Sequence, residues 1–166
     1  MVKIERTLIL LRHAKSDWSE SGPDVDRPLA ERGRVQAQLA GQWFTGHASR
    51  IDLAVVSPAR RARETWELAS AQLVAAPQTR FDDRVYAAST DQLLDVVRDI
   101  PNNVHSALLV GHNPGMEALA SLLAGEAVIM RTSGIAEIGV NGSWSELESS
   151  SAVLRVAGRS DGHNLS

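Results

Sequence analysis

Cysteine is absent from this chain of 166 residues, and three classes of chemistry are excluded with it. A chain without cysteine has no disulfide framework, no thiolate zinc site and no cysteine nucleophile. The chain also lacks an excess of positive charge, because 17 Lys and Arg are outnumbered by 20 Asp and Glu, for a net charge of -3. No overall field attracts nucleic acid or an anionic membrane, so basic side chains can act only locally.

Long hydrophobic runs are missing as well. The apolar run at residues 7–11 stops at Arg12, which makes it too short for the core of a signal peptide, and no later run approaches a membrane span. Together with the lack of cysteine, this predicts a soluble, cytoplasmic protein with no membrane partner. The length predicts a single domain over residues 1–166, with a mobile polar tail at 159–166.

The chain does contain an alternation of apolar strand patterns and amphipathic helical patterns. Strands are predicted at 8–11, 53–56, 107–110, 128–130, 135–140 and 152–156. Helices are predicted at 30–44, after Ser57-Pro58 with an apolar stripe at 62–73, at 89–100, and after Pro114 as far as 123. Ser89 and Gln92 form a predicted capping box, and Asn141-Gly142 is typical of a turn between two edge strands. The alternation predicts an α/β fold of three layers, in which helices cover both faces of a mostly parallel central sheet.

Polar motifs follow three of the predicted strands. Arg12-His13 follows the first strand, Ser57-Pro58 the second and Gly111-His112 the third. Because the carboxyl ends of parallel strands lie at one edge of a sheet, we expect these segments to share a pocket.

The two helices that follow Ser57 and Asn113 contain residues typical of helix starts. Ser and Asn suit N-caps, and Pro suits the first turn, so helix initiation alone explains those residues. It does not explain the histidines or the arginines after Ser57, namely Arg60, Arg61 and Arg63. Positive charge at a helix N-terminus opposes the helix dipole unless an anion offsets it, so these arginines indicate an anionic ligand. Helical geometry predicts that Arg61 points with Thr65 toward the pocket, whereas Arg60 and Arg63 point away.

Phosphate is the anion that best suits these residues. The guanidinium groups of Arg12 and Arg61 match phosphate oxygens, and a neutral His13 beside them can attack phosphorus in line. The same arginines disfavour protonation of His13. A metal held by the two histidines is disfavoured, because guanidinium groups would repel a divalent cation. We therefore expect neither a metal nor another cofactor.

The motifs RHAKS, SPARRARET and GHNPG, in this order and at these distances, resemble the histidine phosphatase superfamily. More narrowly, the chain is similar to the short SixA-type phosphohistidine phosphatases, and DRPLAERG at 26–33 extends the resemblance. The resemblance implies a phosphoglycerate mutase-like fold without a large cap insertion, no metal, and a covalent phosphohistidine intermediate. It places His13 at the nucleophile, Arg12 and Arg61 at phosphate-binding positions, and His112 at the second catalytic histidine.

The proton donor departs from the wider family. Many relatives use a glutamate between the second and third motifs, where the nearest match is Asp83, a candidate acid that is one methylene shorter. A phosphorylated imidazole can leave after protonation of its own distal nitrogen, so phosphohistidine on a protein is the first expectation for the substrate.

Several alternatives remain open from the sequence. The chain could be a phosphatase of small phosphomonoesters that uses Asp83 as the acid, or a non-catalytic phosphate-binding module. Residues 15–18 (Lys15, Ser16, Asp17 and Trp18) either line the cleft or form an ordinary exposed loop. The sequence does not decide the oligomeric state, and a monomer is compatible with it.

Overall fold

The computed structural model of the chain describes residues 5–47 and 50–160. Within these residues, six strands form one sheet, and four α-helices connect or cover them. The strands are β1 (Glu5–Arg12), β2 (Leu53–Val56), β3 (Gln78–Phe81), β4 (Ser106–Gly111), β5 (Gly134–Asn141) and β6 (Ala152–Arg159). The helices are α1 (Glu31–His47), α2 (Arg60–Ser70), α3 (Thr90–Arg98) and α4 (Gly115–Ala124).

The sheet is mixed and mostly parallel, with the strand order β3-β2-β4-β1-β5-β6. Strands β3, β2, β4 and β1 run parallel, whereas β5 and β6 are antiparallel additions at one edge. Arg12 at the end of β1 pairs with Gly111 at the end of β4, and Val56 at the end of β2 pairs with Val110. The carboxyl ends of three neighbouring strands therefore lie side by side, as predicted.

Helices cover both faces of the sheet, which confirms the three-layer α/β architecture. In β1, Leu8 and Leu10 pack into a buried cluster with α3 and α4, whereas Ile9 and Leu11 pack into a second cluster with α1 and α2. Successive strand residues point to opposite faces, so a continuous apolar run is what a strand covered on both faces requires. The capping box is present at the start of α3, where the Ser89 and Gln92 side chains exchange bonds with backbone amides.

Two strand predictions differ from the structure. β3 was not predicted, because it is a mostly exposed edge strand with the sequence QTRF and has no apolar run to reveal it. Residues 128–130 do not form a strand, although Val128 and Met130 are buried. Their backbone amides donate to the side chains of Ser121 and Glu117 on α4, and these bonds replace those of a strand ladder.

The predicted boundaries near the C-terminus also need correction. Arg159 belongs to β6, so the predicted tail begins too early, and residues 161–166 lie outside the described residues. β5 and β6 pair as predicted, but the turn at Asn141-Gly142 does not join them directly. The connection is longer and contains a 3-10 turn at Trp144–Glu146, in which Trp144 is buried.

The two helix starts near the site are shifted from their predicted positions. α2 begins after Ala59 and α4 after Pro114, so neither Ser57 nor Asn113 is the N-cap residue. Both side chains still accept bonds from backbone amides near the helix starts, Ser57 Oγ from Ala59 at 3.2 Å and Asn113 Oδ1 from Glu117 at 3.1 Å.

Candidate active site

The side chains predicted from the strand ends converge at the carboxyl edge of the sheet. His13 follows β1 and His112 follows β4, and their ring centroids are 5.0 Å apart with a tilt of 54° between the planes. His13 is 8% exposed, and its backbone is fixed on both sides. Its amide donates to Gly111 in β4, and its carbonyl accepts from Ser133 just before β5.

The tautomer of His13 follows from its hydrogen bond. Nδ1 lies 2.8 Å from the carbonyl oxygen of Ala14. A carbonyl can only accept, so the neutral ring carries its proton on Nδ1 and leaves the lone pair on Nε2. Nε2 is therefore the atom that can attack an electrophile.

Ser57 fixes the second histidine. Its hydroxyl accepts from the Ala59 amide and lies 2.7 Å from Nε2 of His112. When the hydroxyl donates its single proton to Nε2, Ser57 is satisfied as both donor and acceptor, and the neutral His112 ring carries its own proton on Nδ1. Nδ1 is buried and has no hydrogen-bond partner, so His112 is set up as a donor to a ligand.

The two predicted phosphate-binding arginines approach from different elements. Arg12, at the end of β1, donates through Nη1 to the carbonyl oxygen of Met130 at 3.0 Å. Arg61, in the first turn of α2, is 6% exposed and donates to the Asp24 backbone and side chain. The Nε atoms of both arginines are buried and have no partner.

Arg61 is the arginine of its helix that points inward, as the helical register predicts. Arg60 and Arg63 are exposed, the first pairing with Glu64 and the second donating to Pro58. Thr65 lies one turn after Arg61 and is fully buried. Its hydroxyl donates to the Arg61 carbonyl at 2.7 Å and accepts from the Ala14 amide at 3.0 Å, so it ties α2 to the loop that carries His13.

The sequence analysis missed Asp24, Tyr86 and Arg27. Asp24 lies in a 3-10 turn (Asp24–Asp26), and its carboxylate accepts from Arg61 at 3.0 Å, from Arg27 at 2.6 Å and from the Tyr86 hydroxyl at 2.5 Å. The Tyr86 ring also packs edge-on against His112, with centroids 5.7 Å apart. Tyr86 is the one tyrosine of the sequence, but no local pattern links it to Asp24, which lies 62 positions earlier.

The loop after His13 is held by the segment that contains DRPLAERG. Gly33 lets α1 approach closely, because a Cβ atom at this position would lie only 2.0 Å from the Lys15 carbonyl oxygen. Ser16 is buried and accepts from Arg27, whose guanidinium carbon lies 3.5 Å above the ring of the exposed Trp18. Ser16 and Trp18 thus contact the network around Asp24, whereas Lys15 contributes its backbone.

The candidate acid, Asp83, lies on the segment that leads to Tyr86. It opens a 3-10 turn (Asp83–Val85), and its side chain is exposed. The neighbouring Asp82 caps this turn and pairs with Arg84. Tyr86 is the side chain by which this segment reaches His112 and Asp24.

Both histidines are neutral near neutral pH. Burial, followed by the charges of His112, Arg61 and Arg12, lowers the pKa of His13 to about 3, although the bond to Ala14 opposes the shift. Burial and the charge of Arg61 lower the pKa of His112 to about 4, with Asp24 opposing. Both rings are therefore uncharged at physiological pH, with the lone pair of His13 free on Nε2 and that of His112 facing the Ser57 hydroxyl.

These shifts predict acid sensitivity of the fold. A histidine in the unfolded chain titrates near pH 6.5, so below that pH the unfolded state binds protons that the folded state does not. The free energy of unfolding should be highest above about pH 6.5 and fall as the pH approaches 3 to 4. Urea unfolding between pH 7.5 and 4 measures this, with His13→Asn as the comparison. An equally steep fall in that variant would contradict the assignment to His13.

Two further properties concern metals and membranes. In the described residues, no group of three or more His, Asp or Glu side chains could hold a metal ion. The helices of the described residues include none with the length and hydropathy of a membrane span.

A phosphoglycerate mutase-like sheet with a pair of histidines and two arginines at its carboxyl edge defines the class of protein. The family model of the histidine phosphatase superfamily (branch 1) matches residues 8–86. The chain is 37% identical over 155 residues to an uncharacterized protein of Mycobacterium tuberculosis, covering 87% of this chain and 96% of that protein. It is also 32% identical over 154 residues to an uncharacterized chloroplastic protein of Arabidopsis thaliana, covering 86% of this chain and 71% of that protein. The chain belongs to the histidine phosphatase superfamily.

Solved structures confirm the likeness to the small SixA-type members. A protein of Nakamurella multipartitia, assigned as the phosphohistidine phosphatase SixA, is 27% identical with a TM-score of 0.87, covering 98% of this chain and 100% of that one. A second protein with the same assignment, from Agrobacterium tumefaciens, is 31% identical with a TM-score of 0.75, covering 81% of this chain and 92% of that one. The fold and its small size, without a large cap insertion, agree with the expectation from the sequence motifs.

Proposed function

We propose that this protein is a phosphatase that removes phosphoryl groups from protein-borne phosphohistidine, through a covalent intermediate on His13. Three donor atoms at one place carry the proposal. Five buried side-chain nitrogens in the described part of the chain lack a hydrogen-bond partner, and three of them belong to this site: Arg12 Nε, Arg61 Nε and His112 Nδ1. Buried donors without partners are costly, so a cluster of three around a neutral histidine supports an anionic ligand with several acceptor oxygens.

The proposed reaction has two steps that balance without a metal. Nε2 of His13 attacks phosphorus while the bond from phosphorus to the substrate nitrogen breaks, and the electron pair of that bond goes to the substrate ring. Water then attacks phosphorus, and the bond from phosphorus to Nε2 of His13 breaks with its electron pair returning to Nε2. Both water protons leave with the product as dihydrogen phosphate, and His13 is again neutral. Arg12, Arg61 and His112 donate to the phosphoryl oxygens, whose negative charge they stabilise in both transition states.

The leaving group favours phosphohistidine over phosphomonoesters. An alkoxide needs a proton from an acid, whereas a phosphorylated imidazole protonated on its distal nitrogen leaves as a neutral ring. Hydrogen bonds from Tyr86, Arg61 and Arg27 lower the pKa of Asp24 to about 2, so that carboxylate is not a proton donor at neutral pH. Asp83 is exposed, and it is the acid that the alternative reaction, hydrolysis of a phosphomonoester, would use.

A substrate panel tests the proposal. The purified protein is assayed with a phosphohistidine peptide, phosphoramidate, a phosphotyrosine peptide, a phosphoserine peptide and sugar phosphates, each with and without EDTA. We expect kcat/KM to be highest for the phosphohistidine peptide by at least an order of magnitude, and unchanged by EDTA.

The panel also separates the alternatives. Preference for a phosphomonoester, together with a loss of that activity in Asp83→Asn, would favour the small-substrate phosphatase. Phosphate binding without turnover of any substrate would indicate a non-catalytic module. Loss of activity in EDTA with recovery on adding metal would overturn the metal-free mechanism.

A further inference from the structure

Asp24 holds a position that the proposed reaction has not used. Its side chain accepts three hydrogen bonds, from Arg27, Arg61 and Tyr86, and yet remains 49% exposed. Its backbone carbonyl accepts a further bond from Arg61 at 2.8 Å. The carboxylate is therefore fixed in place and still open to a ligand on one side.

One guanidinium links Asp24 to the phosphoryl site. Both Nη atoms of Arg61 bind Asp24, whereas the buried Nε has no partner and can donate to a phosphoryl oxygen. The carboxylate and a bound phosphoryl group would then lie within the span of a single guanidinium. Asp24 also acts electrostatically on His112, which places its charge within reach of the second histidine.

A groove of about 510 Å³ borders Asp24, and neither His13 nor His112 is among its lining residues. Its lining includes Trp18, Pro23 and Arg27 as well as Asp24. A polypeptide that carries the phosphorylated side chain can occupy this groove while its phosphoryl group lies against Arg61. The ring between the two would then border Asp24.

The charge of this carboxylate suits one kind of leaving group. A phosphohistidine ring that is protonated on its distal nitrogen is cationic and presents an N–H donor, which an ionised carboxylate accepts strongly. The developing oxygen anion of a phosphomonoester is repelled by the same charge.

We propose that Asp24 determines specificity by accepting a hydrogen bond from the protonated distal nitrogen of the substrate phosphohistidine. The distal proton stays on the ring when the phosphorus–nitrogen bond breaks, and the ring leaves neutral. Asp24 takes no proton in this step and orients the ring for departure opposite Nε2 of His13. This inference rests on the proposed function.

The test is a change in the ratio of two activities. kcat/KM is measured for Asp24→Asn on a phosphohistidine peptide and on a phosphotyrosine peptide of otherwise identical sequence. We expect the first to fall by about 10- to 100-fold, in line with a lost hydrogen bond to a charged group, and the second to stay equal or rise. Asp95→Asn, at an exposed carboxylate of α3 that does not line the groove, should leave the ratio unchanged. Asp24→Glu, which keeps the carboxylate, should recover part of the preference for the phosphohistidine peptide that Asp24→Asn loses.

Other outcomes overturn the assignment. An equal loss on both peptides would mean that Asp24 only supports Arg61, and an equal gain would mean that it competes with phosphate for that guanidinium. Thermal unfolding of each variant shows whether a loss comes from the fold. A wild-type protein without activity on phosphohistidine would overturn the proposed function and this role with it, whereas an unchanged ratio in an active enzyme overturns only the role of Asp24.

Discussion

Replacing His13 with alanine should reduce phosphohistidine turnover to the uncatalysed background while the protein remains folded. The ring supplies the nucleophilic Nε2, whereas the Nε2 lone pair of His112, the other histidine of the site, accepts from the Ser57 hydroxyl. Stopped-flow assays on the wild type should show a burst of phosphoenzyme that is labile to acid, and this burst should disappear in His13→Ala.

A matched control is available in His105, which is exposed just before β4, at the opposite end of the sheet. His105→Ala should keep full activity and the full burst. Thermal unfolding at neutral pH compares the folded state of the two variants. Substantial turnover in His13→Ala would remove His13 from the reaction, and labelling of another residue would identify the true nucleophile.

The second large effect is expected for Arg61→Ala. This substitution removes a buried charged donor from the phosphoryl site, and kcat/KM should fall by on the order of 10² or more, as the loss of one preorganised donor typically does. Phosphoramidate is the suitable substrate, because it is too small to extend into the groove beside Asp24. Arg61→Lys should lie between the wild type and the alanine variant, since lysine keeps the charge but loses the planar fork.

Arg60→Ala and Arg63→Ala serve as controls on the same helix. Both side chains are exposed, so each substitution should change kcat/KM for phosphoramidate little. If all three alanine variants lost the same activity, the helix would be acting as a diffuse attractor of anions, and Arg61 would have no special place in it.

The strands that are buried on both faces of the sheet could be predicted from the sequence. β1, β2 and β4 are continuous apolar runs, and their boundaries differ from the predicted ones by only a few residues. β3 could not be predicted, because an exposed edge strand needs no apolar pattern and is held by its pairing with β2. Residues 128–130 show the reverse case, in which burial without a ladder gives an apolar segment that is not a strand.

Some residues of the candidate site could also be predicted from the sequence, and others could not. His13 and His112 directly follow strands, Arg12 ends one, and Arg61 lies on the inward face of a helix. The position of each residue in its own element therefore predicts that it lies in the site. Asp24 and Tyr86 meet only after two distant loops fold against each other. Their contact depends on tertiary structure, and neither residue stands out in a strand or helix pattern.

Because β5 runs antiparallel to β1, the end of β5 lies beside the start of β1, far from the histidines that follow β1 and β4. Glu5 pairs with Asn141, so the connection from β5 to β6 lies at the end opposite the histidines, where the indole of Trp144 donates to the Val104 carbonyl. Changes of length in that connection, or a domain fused there, would leave the reacting groups undisturbed. Changes in the loops after β1 and β3 would alter which substrates the protein binds. Insertions or fused domains at the end opposite the histidines are therefore compatible with an unchanged reaction at the site.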